Sequence, residues 1–214
     1  MTMTILLTAT VDPNGCSYVA RSSVEDRMLD YLSSLRRWLN ETDFDIVFVE
    51  NSGFDLGFLK KEFADKSGRV EYISFDGNRY ERSLGKGYGE LEILRFAMSN
   101  SSKLSVVDRF VKSTGRYFFP ELSDFLSSID VYDYDYVGIY NENVIHTGFF
   151  VACKQFLSGF LDGLVPPNPI NDAGGYYIEH LFHQIAFSTE RRLLIGRLGA
   201  DGISGTFGTP ITWM

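Results

Sequence analysis

The stretch Val70–Asn100, VEYISFDGNRYERSLGKGYGELEILRFAMSN, decides how the chain is read. It opens as a buried strand, Val70 to Phe75. It breaks at Asp76-Gly77-Asn78, crosses a polar loop and reaches Gly85-Lys86-Gly87-Tyr88-Gly89-Glu90. Leu91, Leu94 and Met98 then recur at helical spacing. A glycine-rich turn entering a helix gathers free N–H groups and the positive end of a helix dipole at one point. Lys86 adds a full charge there, so a phosphate-bearing ligand is expected at this helix start. The pattern is neither a P-loop nor GxGxxG, because Gly85, Gly87 and Gly89 alternate. The plain alternative is a flexible strand–helix connection.

Upstream, the same grammar repeats. Thr4 to Val11 reads as a strand closed by the turn residues Asp12-Pro13-Asn14-Gly15. Ser22 and Glu25 have capping-box spacing, and Val24, Met28, Tyr31, Leu32, Leu35, Trp38 and Leu39 follow on a helical stripe ending near Asn40. Phe44 to Val49 is a second buried strand, stopping at Glu50-Asn51-Ser52-Gly53, and Leu56, Leu59 and Phe63 mark a short helix. Continuous apolar strands separated by amphipathic helices predict a mostly parallel, Rossmann-like α/β sheet flanked by helices. Ligands bind such sheets at the carboxyl ends of the strands.

Downstream the pattern is mixed. Asp108 to Phe119 reads as a strand or strand–turn, Glu121 to Ile129 as a short helix and Tyr132 to Tyr140 as a half-exposed strand by alternation. Thr147 to Lys154 is a further strand, followed by a helical Gln155 to Leu161. Val165-Pro166-Pro167-Asn168-Pro169 is a rigid connector. Tyr176 to Ser188 is a helix and Leu193 to Leu198 a last strand. The tail GADGISGTFGTPITWM is expected to be a flap or a frayed end.

The 214 residues are read as one domain, with a nucleotide-binding half at 1–100 and an acceptor and catalytic half at 101–214. A hydrophobic content of 44% supports a core of this size, and 18 Phe and 12 Tyr supply rings to pack or to stack on a ligand. A net charge of −8 argues against a nucleic-acid surface. No apolar run approaches the length of a membrane span, and the first residues lack the positive region of a signal peptide. Cys16 and Cys153 match no metal spacing, and Cys153 is expected as a buried reduced thiol. A cytoplasmic protein is expected.

Several side chains carry the chemistry expected of a cleft at the strand ends. Asp12, Glu50 and Asp76 each follow a strand, and such acids can receive base N–H groups and ribose hydroxyls, although each is also an ordinary turn or surface acid. Lys112 and Arg116 can stabilise a departing diphosphate, or simply flank a turn. Glu179 sits in an aromatic, glycine-preceded helix start, where apolar surroundings would raise its pKa and suit it to take a proton. His180 and His183 offer a zinc pair, but the order Glu-His-x-x-His differs from that of metalloproteases. No G-x-S-x-G nucleophile motif is present.

Four places carry a family resemblance. Leu6-Leu7-Thr8-Ala9-Thr10 with Asp12, Val47-Phe48-Val49-Glu50-Asn51-Ser52-Gly53, Gly85-Lys86-Gly87 through Ala97, and Ile178-Glu179-His180 together resemble the GT-A-type glycosyltransferases. In length and overall impression the chain is also similar to the amino-terminal domain of multidomain chlorella-virus members. The resemblance implies a nucleoside diphosphate sugar as donor, most often a UDP sugar, and a glycan or glycoprotein acceptor. It implies that Thr8, Thr10, Asp12, Glu50, Asn51, Asp76 and Gly77 contact the nucleoside, and that Lys86, Lys112 and Arg116 face the phosphates. Glu179 would deprotonate the acceptor hydroxyl in an inverting transfer. The family usually holds Mn²⁺ or Mg²⁺ with Asp-x-Asp after the fourth strand. Here Lys112-Ser113-Thr114-Gly115-Arg116 has no acid, and Asp133-Tyr134-Asp135 precedes a later strand. Either Asp76 supplies a metal ligand, or Lys112 and Arg116 replace the metal wholly or in part. A non-catalytic nucleotide- or carbohydrate-binding module of a larger protein is the alternative.

Overall fold

A computed structural model describes residues 3–13, 16 and 19–211. Asn14 and Gly15 of the first turn, and the last three residues of the tail, lie outside the described residues. The strands are β1 (Thr4–Ala9), β2 (Asp45–Glu50), β3 (Val70–Ser74), β4 (Arg109–Thr114), β5 (Tyr136–Asn141), β6 (Val144–Cys153) and β7 (Arg192–Ile195). The helices are α1 (Val24–Glu41), α2 (Gly57–Glu62), α3 (Lys86–Asn100), α4 (Ser102–Ser105), α5 (Leu122–Ser128), α6 (Lys154–Asp162) and α7 (Ile178–Phe187).

The strands form one sheet in the order β3-β2-β1-β4-β6-β5-β7. It is parallel except where β6 runs against β4 and β5. The pleat divides the core in two. Ile5, Leu7, Ile46 and Phe48 face Tyr31, Leu35 and Trp38 of α1, with Leu59 of α2 and Leu122 of α5 in the same layer. Leu6, Val47 and Val49 face Leu91 and Leu94 of α3 and Leu181, Phe182 and Ile185 of α7. A strand buried on both faces needs an unbroken apolar run, which is why TILLTA and DIVFVE show no alternation.

Some expectations need correcting. β3 is an edge strand, and of its residues only Val70 is buried. The alternating Tyr132–Asp135 segment is a 3-10 turn and its exit, and the strand itself starts at Tyr136, buried because β6 and β7 flank it. The α1 cap is Ser23, whose hydroxyl accepts the Asp26 N–H, one residue after the expected Ser22. Cys153 is half-buried rather than buried. The tail is not frayed between Asp201 and Ile211. Asp201 pairs with Phe118, Ile203 bridges Pro210, and Ser204 is buried. Among the described residues, no helix is long and apolar enough to cross a membrane.

Candidate active site

Register puts the carboxyl ends of the central strands side by side, with Thr8 opposite both Val49 and Thr114. A half-open cavity of about 170 Å³ lies against the ends of β1 and β4. β1 and its exit contribute Thr8, Ala9 and Thr10, and the loop that follows adds Pro13, Cys16 and Val19. The far walls come from α3, α7 and the folded tail.

One wall is cationic, and most of it was not legible in the sequence. Arg27 and Tyr31 of α1 and Arg116 beyond β4 converge there, with 5%, 0% and 8% exposure. The Tyr31 oxygen accepts from Arg27 at 3.1 Å, from Arg116 at 3.0 Å and from the Thr10 N–H at 2.9 Å. Its own hydroxyl donates to the Thr10 carbonyl. Arg27 also donates to the carbonyls of Thr10 and Arg21, and Arg116 to that of Ile203. Burial is the largest influence on Tyr31 and pushes its pKa up, but the two guanidiniums outweigh it and leave the phenol below its ordinary value. Burial, with Arg116 adding like charge, pulls Arg27 below the usual arginine range. Arg27 and Tyr31 stand four apart on α1, where Tyr31 read only as part of the apolar stripe.

The opposite wall is acidic. Glu179, in the first turn of α7, and Glu90 of α3 both line the cavity. Burial chiefly raises the Glu179 pKa above the usual carboxylate range, with the charges of Glu90 and Asp172 adding and Lys86 opposing. Lys112 is fully buried beneath this wall, where its ammonium donates to Glu90 and to the Thr147 carbonyl, so it sits behind two cavity-lining residues and does not itself line the cavity. A strand-centre lysine between Val111 and Ser113 offers no signal of its helix partner.

The acids expected to share one cleft do not all do so. Glu50 is completely buried. Its carboxylate accepts from the Val11, Ser52 and Phe54 N–H groups and from the Ser52 and Ser74 hydroxyls, so it clamps three strand exits together and presents nothing to a ligand. Asp12 is exposed outside the cavity lining, with its N–H donated to Ser52. Asp76 is exposed and pairs with Arg79 at 2.7 Å, and the Gly77 N–H donates to the Asn51 carbonyl. Asn51 is buried behind Thr10, whose hydroxyl it receives at 2.7 Å.

The start of α3 differs most from expectation. Asp172 is buried there, and its carboxylate accepts the backbone N–H groups of Lys86 and Gly87. A Cβ on Gly85, whose φ is +83°, would lie 1.9 Å from that carboxylate, so glycine is required for the approach. The anion-binding end of this helix is therefore taken by the protein's own acid. Lys86 instead reaches across the cavity rim to the Thr206 hydroxyl.

A divalent cation held by protein side chains alone does not fit these residues. Among the described residues no three His, Cys, Asp or Glu side chains come together as a metal-holding group, and Asp76 is engaged by Arg79. The two helical histidines are occupied otherwise: His180 Nδ1 accepts the Tyr177 N–H at 3.0 Å, and the His183 ring stacks on Phe187 at 4.3 Å.

No protein-family model and no curated protein sequence matches the chain. Solved structures do. A galactosyltransferase, LgtC, in complex with donor and acceptor sugar analogs is similar at 9% identity and a TM-score of 0.55, over 90% of this chain and 73% of that one. S. aureus TarS 1-349 in complex with UDP is similar at 12% identity and a TM-score of 0.54, over 93% of this chain and 59% of that one. A cytidylyltransferase from Leptospira borgpetersenii is similar at 13% identity and a TM-score of 0.53, over 92% of this chain and 77% of that one. These neighbours are GT-A-type nucleotide-diphospho-sugar transferases, and the fold of this chain is theirs. The organisms named among these three are bacterial, so they bear on the fold and not on the narrower viral likeness.

Proposed function

We propose that this chain is a glycosyltransferase that moves a sugar from a nucleoside diphosphate sugar, a UDP sugar in the first instance, to a hydroxyl of a glycan acceptor. One observation carries the reading: a carboxylate of raised pKa, Glu179, stands across a strand-end cavity from two buried arginines. In this reading residues 1–100 and Arg116 hold the nucleotide, and α7 supplies the base.

The chemistry follows from the two walls. Thr8 and Thr10 present backbone and hydroxyl groups to the nucleoside, with Asn51 fixing Thr10 from behind. The acceptor oxygen attacks the anomeric carbon while Glu179 removes its proton. The bond from that carbon to the diphosphate oxygen breaks, and the departing charge is met by the cationic wall. A buried carboxylate is a stronger base than an exposed one, because ionisation costs it more and it holds the transferred proton better. Attack from the Glu179 side, opposite the leaving group, inverts the carbon. No step is routed through a metal.

The test separates binding from turnover. Glu179→Gln keeps the shape of the side chain and is expected to bind UDP as the parent does, while transfer falls about 10²–10⁴-fold. Calorimetry with UDP and a product assay with a panel of UDP sugars read the two. Unchanged turnover in the variant, or no nucleotide binding below millimolar, would sink the proposal.

A binding module without turnover is the second reading. It is favoured by the exit of β4, where Lys112-Ser113-Thr114-Gly115-Arg116 lacks the acids that the resembled family usually carries there. It predicts nucleotide binding with no sugar transfer from any donor.

A further inference from the structure

We infer that Arg27, Arg116 and Tyr31 form a preformed seat for a diphosphate group that requires no divalent cation. The inference deepens the proposed transferase reading by naming what holds the donor's phosphates, but the seat is argued from its own geometry.

The two guanidiniums are buried, yet all their hydrogen-bond acceptors given above are neutral: carbonyls of Thr10, Arg21 and Ile203, and the Tyr31 phenol. Among the described residues, neither lies within 4.0 Å of a carboxylate oxygen. Asp30, the nearby acid, is paired with Arg21 at 2.9 Å. Two like charges that share the Tyr31 phenol, with Tyr117 also beside Arg116 and the Asp30 charge acting on both without contact, are costly to bury with no carboxylate against them. The field they create lowers the Tyr31 pKa. An anion entering the cavity would supply the missing charge, and planar guanidiniums suit phosphate oxygens.

The other seats are filled. The start of α3 is capped by Asp172, the Lys112 ammonium is spent on Glu90, and Asp76 is paired with Arg79. Gly205 adds to the case, because a Cβ there would lie 2.4 Å from an Arg116 nitrogen, so this position is kept open beside the guanidinium. The same two charges that would be relieved by the ligand also make a metal superfluous for holding it.

Pyrophosphate is the probe, titrated calorimetrically into the full chain in EDTA and followed by thermal melting. Binding in EDTA is expected, with a rise in melting temperature that equimolar sulfate does not match and an affinity within about twofold of that in Mn²⁺. Arg27→Gln is expected to weaken binding by about tenfold to a hundredfold, the worth of a charge-assisted hydrogen bond. Arg116→Gln should do the same if it folds; if it does not, Arg27→Gln and the metal dependence of the parent still decide. Binding that appears only with Mn²⁺ or Mg²⁺, or a folded Arg27→Gln that binds as the parent does, overturns the seat. Pyrophosphate binding in EDTA without sugar transfer would instead remove the transferase reading and leave the seat standing. Transfer seen only with a metal would do the reverse.

Discussion

At the scale of the residue, burial gives two glutamates opposite roles. Glu179 is half-buried, with Glu90 and Asp172 adding like charge, so its folded-state pKa lies above the unfolded one. Its burial therefore favours the folded chain below the unfolded value, and that contribution is lost as pH rises through the raised one. Glu179→Gln cannot ionise. It is expected to melt above the parent at pH 8 and close to it at pH 4, even as it loses activity, and paired melting curves check both. Glu50 is the reverse case, a carboxylate saturated by five donors from three segments. Glu50→Gln turns one acceptor into a donor that faces other donors. The expected loss is about 1–3 kcal/mol, or about 2–4 °C of melting temperature per kcal/mol for a chain of this size. The raised pKa of Glu179 was legible from its apolar helix start, but the saturation of Glu50 was not. Both residues read as acids at the edge of an apolar segment, and what separates them is whether distant N–H groups arrive. Arg27 was invisible for a related reason: its acceptors are mostly backbone carbonyls, which no residue name reveals.

At the scale of the element, the helices and strands were legible wherever one face or both faces had to be apolar. β1, β2 and the stripe of α1 are such cases. The reading failed where a neighbour decided the outcome. β3 read as a buried strand despite Glu71, but nothing pairs with its outer edge. The glycine-rich entry to α3 looked like a phosphate cradle, and the chain fills that place with Asp172, from 87 positions downstream of Gly85. The tail looked loose because its glycines break every period, whereas Gly202 and Gly205 are small so that Arg116 can lie against them. This segment lines the cavity through Ser204, Gly205 and Thr206 and is held by Lys86 and Arg116. In the proposed reading a nucleoside diphosphate sugar would extend through the open mouth of the cavity, against this segment. Amide exchange in residues 201–211 is expected to be faster than in β1 and β4 without ligand, and to slow on addition of UDP. Exchange unchanged by a saturating nucleotide would show that the segment takes no part.

At the scale of the whole molecule, the sheet order was not legible, but its consequence was. Crossovers from β1 to β2 to β3, and then back across β1 to β4, put the change of direction at the β1–β4 boundary, where open α/β sheets bind ligands. Hydrophobic patterning suggested parallel strands and so placed a cleft at their ends. It did not supply the pairing of β6 against β4, which closes the cavity with Thr147 and Gly148. The charge balance belongs to this scale too. A chain with net charge −8 that gathers two arginines at one internal point has set a local field against its global one. Long-range steering would then work against a phosphorylated ligand, and the interior would supply the attraction. Association of pyrophosphate is accordingly expected to quicken as salt rises from low to moderate concentration, a trend that stopped-flow fluorescence from the parent chain can follow.

The course of the polypeptide also has a practical corollary. β1 starts at Thr4 and advances about 3.3 Å per residue toward the reactive end, so its beginning lies on the remote side of the slab, whereas Ile203 and Thr206 sit over the opening. A reporter group attached at Thr206 would therefore crowd the doorway and compete with whatever enters. One attached at Asp43, exposed just ahead of β2 beside the start of β1, would hang off the back wall, which makes it the sounder choice for kinetics or for crystal soaking.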